Sequence, residues 1–368
     1  PDKGRVASEE ATFFQVELRI RAGRNTKLIA RPSRRSGEES SSSLIYRDCV
    51  EYAVGHTCSA KWTTARGEIT EVATTWLPQQ IVPAISPEGD HALGALDRDP
   101  NLKPRSAEWL ANAKEDDLLR ALSMLPDAYE AWLKSQEDRI GDLPFEFRAQ
   151  AARNIAECRT VAKRIRQAVH MIADRDCPGH DPHALQAFRF ANKAMSLQRA
   201  WGLRTSSHKS DKLVWRPFQL GFQFLALASL ADRGHPERSV MDLLWFPTGG
   251  GKTEAYLGLA AFTLFYRRLR YGDTHGAGVA VIMRYTLRLL TIQQFQRAAT
   301  LIAACEYLRR KDPSKFGPVP FSLGLWVGSG ATPNTVKEAA EHLQGFGDST
   351  PKQLLGCPVS VSYTHLTL

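Results

Sequence analysis

The chain has 368 residues, 43% of them hydrophobic and 24% charged, with 48 Lys and Arg against 39 Asp and Glu for a formal net charge of +9. That balance suits a globular protein of two or three domains with buried cores. No stretch reaches the roughly twenty uncharged apolar residues that span a bilayer, and Pro1-Asp2-Lys3-Gly4-Arg5 lacks the apolar core of a signal peptide, so a cytoplasmic location and no membrane contact are expected. Cys49, Cys58, Cys158, Cys177, Cys305 and Cys357 show no regular framework and read as reduced thiols. The basic excess favours a polyanionic partner, because each neutralised phosphate releases a counterion, without naming one. A first residue other than methionine and an abrupt stop at Leu368 fit a fragment of a longer polypeptide.

Residues 1–43 are polar and end in Arg34-Arg35-Ser36-Gly37-Glu38-Glu39 and four serines, a composition expected to form a linker or mobile arm. From 44 to 105, short runs such as Tyr52-Ala53-Val54 and Ala60-Lys61-Trp62-Thr63 alternate with Gly and charge, which predicts a small β-containing region. Over 106–205 the period changes. Phe147, Ala151, Ile155, Cys158, Ala162, Ile165, Val169 and Ile172 recur at three- and four-residue steps, so a helical region is expected, with Arg153, Arg159, Lys163, Arg164 and Arg166 on a solvated face. Cys177-x-x-His180-x-x-His183 follows beside Asp174, Asp176 and Asp181. These are zinc-binding residue types, but their spacing matches no closed four-ligand site, so Pro178, Gly179 and Pro182 are read as marking a turn between helices.

From 213 to 358 strand, glycine turn and helix alternate, the pattern of a parallel α/β sheet. The apolar run Val240 to Phe246 predicts a buried strand that turns at Pro247. Gly249, Gly250 and Gly251 then allow successive N–H groups to converge on phosphate oxygens with no side chain in the way. Lys252 would reach the outer phosphates of a nucleotide, the Thr253 hydroxyl would help hold Mg²⁺, and the helical run from Ala255 to Phe262 would aim its positive end at the same anions. Phe246 stands where the G-x-x-x-x-G-K-[ST] pattern has its first glycine.

Pro247-Thr248-Gly249-Gly250-Gly251-Lys252-Thr253 resembles motif I of superfamily 2 helicases, which tolerates that change. Trp215-Arg216-Pro217-Phe218-Gln219 resembles the adenine-reading segment of the same enzymes, in which the Gln219 amide would select ATP. Gly278 to Met283 reads as the next buried strand and runs into Arg284-Tyr285-Thr286-Leu287-Arg288, which resembles motif Ia. That likeness makes Thr286 and Arg288 candidates for gripping a nucleic-acid backbone. Phe321 to Val327, ending in Gly328-Ser329-Gly330-Ala331-Thr332, is a weaker match to motif Ib. Together these segments are similar to the helicase subunit of the DISARM anti-phage defence system.

The resemblance implies an incomplete RecA-like parallel sheet with helices on both faces, ATP with Mg²⁺, single-stranded or duplex-end DNA, and partner proteins of a defence complex. An Asp-Glu strand and a second RecA-like domain with an arginine finger would be needed for turnover, and neither appears before Leu368. The chain is therefore expected to bind nucleotide better than it hydrolyses it. Residues 359–368 break the family pattern and read as a tail foreign to it. The competing reading is a nucleotide-binding switch or scaffold that docks partner proteins and never travels along DNA.

Overall fold

The computed structural model describes residues 16–31, 40–78, 85–203, 212–246, 249–285 and 288–325, with positions 335, 337 and 340 besides. Two compact units make up the chain, Pro1–Ala84 with Gln136–Ala156, and Ile85–Ser135 with Glu157–Leu368. In chain order the elements are β1 (Arg19–Arg21), α1 (Ser40–Ile45), β2 (Ser59–Ala65), β3 (Glu68–Thr75), α2 (His91–Gly94), α3 (Ala107–Asn112), α4 (Glu115–Asp138), α5 (Phe145–Ala173), α6 (Pro182–Leu203), α7 (Pro217–Ala231), α8 (Lys252–Gly276), α9 (Arg288–Lys311) and α10 (Pro313–Phe316).

In the first unit β2 and β3 form a hairpin. Its turn residues Arg66 and Gly67 both take positive φ, 50° and 80°, the handedness that matches the twist of the flanking strands. Ile69, Val72 and Ala73 of β3 are buried. β1 pairs with the other edge of β3, setting Ile20 opposite Val72, so the sheet is antiparallel in the order β1-β3-β2. The stretch expected as a polar arm thus contributes a strand. Three residues, two of them arginines, are too short a run for period-two alternation to stand out.

The second unit is built on helix packing. α5 buries Ile165, Ala168, Val169 and Ile172 in a core shared with Phe188 and Met195 of α6, Phe224 of α7 and Phe262 and Phe265 of α8. The helices of 106–205 and those after 213 therefore bury one common apolar surface. α6 packs along α3, α8 and α9. Phe190, Phe265 and Phe316 form an aromatic cluster with centroids 4.7 to 5.4 Å apart. Before α7 the chain crosses the start of α3 as a short antiparallel bridge, Ser106 opposite Val214.

Arg164 departs from the solvated face on which periodicity puts it. Its side chain is buried and grips Asp242 bidentately, at 2.8 and 2.7 Å. A buried guanidinium needs such a partner. Asp242 lies 78 residues further along the chain, outside the reach of any helical period.

The described residues are mixed helix and strand, mostly helical, and no RecA-like parallel sheet is shown among them. Among the described residues the one sheet is the antiparallel β1-β3-β2. The segments 240–246 and 278–283, and the described part 321–325 of the segment 321–327, all expected as strands, run without ladder pairing. The first still alternates as an extended chain does, with Met241, Leu243 and Trp245 exposed and Asp242, Leu244 and Phe246 half-buried. Apolar pattern specifies which face is inward; pairing is a separate, tertiary matter.

A buried ion pair ties the end of α9 to the segment after α10. The Arg309 Nε and Nη2 groups donate to the two Glu306 carboxylate oxygens at 2.8 and 2.7 Å, and the Phe321 N–H adds a bond of 3.0 Å. Burial opposes the charge on Glu306, but Arg309, the Phe321 N–H and Arg310 outweigh it and hold the carboxyl below its usual range. Glu306→Ala should therefore cost about 3–5 kcal/mol in urea unfolding at pH 7. Because the folded-state pKa is depressed, the stabilisation exists above the unfolded value of ~4.3 and the gap between parent and variant should close as pH falls through the folded value.

Candidate functional site

The site expected from the glycine run sits at the head of α8. Gly251 caps the helix in the left-handed region, φ 85°, and Gly249 is also left-handed at 81°. Pro247 and Thr248 lie outside the described residues. The first turn of α8, from Lys252, leaves backbone N–H groups without intrahelical acceptors, and the helix dipole adds partial positive charge there.

α7 holds this loop from one side. Pro217 opens that helix, and Gln219 in its first turn accepts the Arg216 N–H on Oε1 at 2.8 Å. The same amide donates from Nε2 to the Gly251 carbonyl at 2.7 Å, while Arg216 Nη1 donates to the Gly250 carbonyl at 3.0 Å. In a trans peptide the carbonyl of one residue and the N–H of the next point opposite ways. With both carbonyls turned to α7, the N–H groups of Gly251 and Lys252 face the other side of the loop. That orientation presents donors to an anion.

Gly251 is required twice over. Its φ disfavours other residues, and a Cβ there would stand 2.8 Å from Gln219 Nε2 and 3.2 Å from Glu254 Oε2. Further along α8, Gly258 admits Trp215 and Gln223, whose nearest atoms would lie 3.1 and 2.7 Å from an added Cβ. Trp215 is itself fixed by its indole N–H, which donates to Asn192 of α6 at 2.8 Å.

Three contacts were not legible in the loop motif. Phe246 stacks on Phe218 of α7 with centroids 3.8 Å apart and 14° between planes, so the residue that replaces the first glycine turns its ring toward α7. Lys252 Nζ donates to the Phe246 carbonyl at 2.6 Å, bridging the base of the loop. Glu254 pairs with Arg297 of α9 through Oε1, and its Oε2 is buried with no hydrogen-bond partner among the described residues. The glutamate directly after Lys252-Thr253 was the available signal for this last pair.

Of the expected site residues, the structure brings together Gln219, Gly249, Gly250, Gly251, Lys252 and Thr253, the last half-buried at the second position of α8. Thr248 and Thr286 lie outside the described residues. Arg288 opens α9. Among the described residues no helix is long and apolar enough to cross a membrane.

What fold and site define together is a mostly helical protein with a glycine loop held by one helix at the head of another, shaped to offer backbone donors. No protein-family model matches the chain. It is similar to the DISARM protein DrmA of Bacillus paralicheniformis, with 32% identity over 379 aligned positions that take in 94% of this chain. The chain spans 32% of that protein's length.

Gly249→Ala should lower stability by ~1–2 kcal/mol from backbone strain alone, and Gly251→Ala by more, because its Cβ also displaces Gln219. Chemical denaturation of the two variants side by side reads the difference.

Proposed function

We propose that this chain is the ATP-binding part of an ATP-dependent DNA helicase or translocase serving a bacterial anti-phage defence system. One observation carries the reading: the Gly250 and Gly251 carbonyls are tied back to Arg216 and Gln219, which leaves the N–H groups at the head of α8 facing outward. A phosphate chain is the ligand that suits such a row of donors.

The residues fit ATP with Mg²⁺. The Gly251 and Lys252 N–H groups face away from α7, and the half-buried Thr253 follows Lys252 in the first turn of α8. Lys252 would exchange the Phe246 carbonyl for the outer phosphates, Thr253 would hold the metal through its hydroxyl, and Thr248 would complete the loop. Bound ATP with Mg²⁺ supplies the phosphoanhydride bond and the charge-neutralising metal. Gln219 pins the loop in its present bonds; reading adenine would draw on the same amide, so nucleotide and loop position are coupled through it.

Thr286 and Arg288, at the entry to α9, are proposed contacts to a DNA phosphate backbone, a sequence-independent grip that accords with the net charge of +9. The name of the similar DrmA supports a defence role and partner proteins. Unwinding or travel along DNA is proposed for the longer protein, within which these residues grip the nucleotide.

Calorimetry of a non-hydrolysable ATP analogue with Mg²⁺, with and without single-stranded DNA, tests the reading. Lys252→Ala should abolish binding, a loss of at least about 100-fold if two charge-assisted contacts at ~1.5 kcal/mol each disappear, and DNA should tighten binding in the parent. Binding indifferent to both would overturn the motor reading. Binding that needs Lys252 and ignores DNA would favour the switch or scaffold.

A further inference from the structure

The turn between α5 and α6 gathers ligands that the sequence spacing does not pair. His170 and Asp174 lie one helical turn apart at the end of α5, and Nδ1 of the first meets Oδ2 of the second at 2.6 Å. Cys177 completes a triad whose donor atoms all lie within 4.8 Å of one another. The fold therefore joins His170, Asp174 and Cys177 rather than the Cys177, His180 and His183 of the linear pattern. His180 stands outside that triad, and its backbone N–H closes the same turn on the Cys177 carbonyl at 2.9 Å.

We infer that His170, Asp174 and Cys177 form a zinc site, with a water as the fourth ligand. Imidazole, carboxylate and thiolate together suit zinc rather than magnesium or calcium, which take oxygen alone. A tetrahedral ion with bonds of about 2.0–2.3 Å spaces its ligand atoms roughly 3–4 Å apart, and the spacings here, from 2.6 Å to within 4.8 Å, bracket that figure. Binding transfers the Cys177 thiol proton to solvent and leaves the neutral His170 ring protonated only on the nitrogen turned away from the ion; one carboxylate and one thiolate then neutralise the dication, so the occupied half-buried site carries no net charge. All three side chains are half-buried, which leaves the ion a way in.

The site has a structural consequence. Asp181, in the same turn, accepts the Tyr266 hydroxyl of α8 at 2.8 Å and donates its backbone N–H to the Met171 carbonyl at 2.9 Å. An ion there would clip the end of α5 to the turn that seats α8, the helix whose head is the glycine loop. This role stands apart from nucleotide binding.

Cobalt(II) alone, titrated under reducing conditions into the chelator-stripped 368-residue chain, reports the ligands directly. One equivalent should give a thiolate-to-cobalt charge-transfer band and tetrahedral visible absorption, both displaced by zinc. The band should vanish in Cys177→Ser, persist in Cys49→Ser, and weaken or shift in His170→Ala. Zinc should raise the melting temperature of the parent and leave that of Cys177→Ser unchanged. No band in the parent, or an equal band in Cys177→Ser, would overturn the assignment. Should Cys177→Ser fail to fold by circular dichroism, Cys177→Ala supplies the same comparison.

Discussion

Everything proposed for the head of α8 depends on how Gln219 divides its amide. The carbonyl end receives the Arg216 N–H at the start of α7, and the NH₂ end holds the Gly251 carbonyl. A primary amide can do both because it is donor and acceptor at once; a glutamate could not donate, and a leucine could do neither. The group is buried, so leaving either end unsatisfied would carry a desolvation penalty of about 1–3 kcal/mol. That penalty keeps the loop against α7 and its donors outward.

The rest of the second unit keeps α8 where that clamp needs it. Trp215 anchors the approach to α7 on Asn192, Gly258 lets the same indole lie close to α8, Tyr266 ties the far half of α8 to Asp181, and Arg297 of α9 holds Glu254 in its first turn. Arg164 fixes the extended segment that leads into the loop through Asp242. Each is a polar contact or close approach at or beside the apolar core, and contacts of this kind fix how the helices register against one another.

What could be read from the sequence follows from the range of each interaction. The α5 stripe and the glycine loop before α8 are local patterns, governed by a helical period or by three adjacent residues, and both were expected within their observed elements. Long-range pairing was not legible. β1 joins β3 across 50 residues, Arg164 reaches Asp242 across 78, and His170 meets Cys177 only because α5 ends where it does. The parallel sheet expected from 213 onward rests on pairing of the same long-range kind; the described residues show extended segments in its place. Phe246 illustrates the limit most simply. Sequence marks it as a departure from a glycine pattern, and only its stack on Phe218 shows where the ring goes.

Hydrogen–deuterium exchange across residues 240–260, with and without a non-hydrolysable ATP analogue and Mg²⁺, tests the central claim that this loop is a phosphate cradle. The account predicts protection concentrated at Gly249 to Glu254, where the outward N–H groups would take up phosphate oxygens. Protection that leaves the loop unchanged and falls elsewhere in the chain, at analogue concentrations that saturate binding, would contradict it.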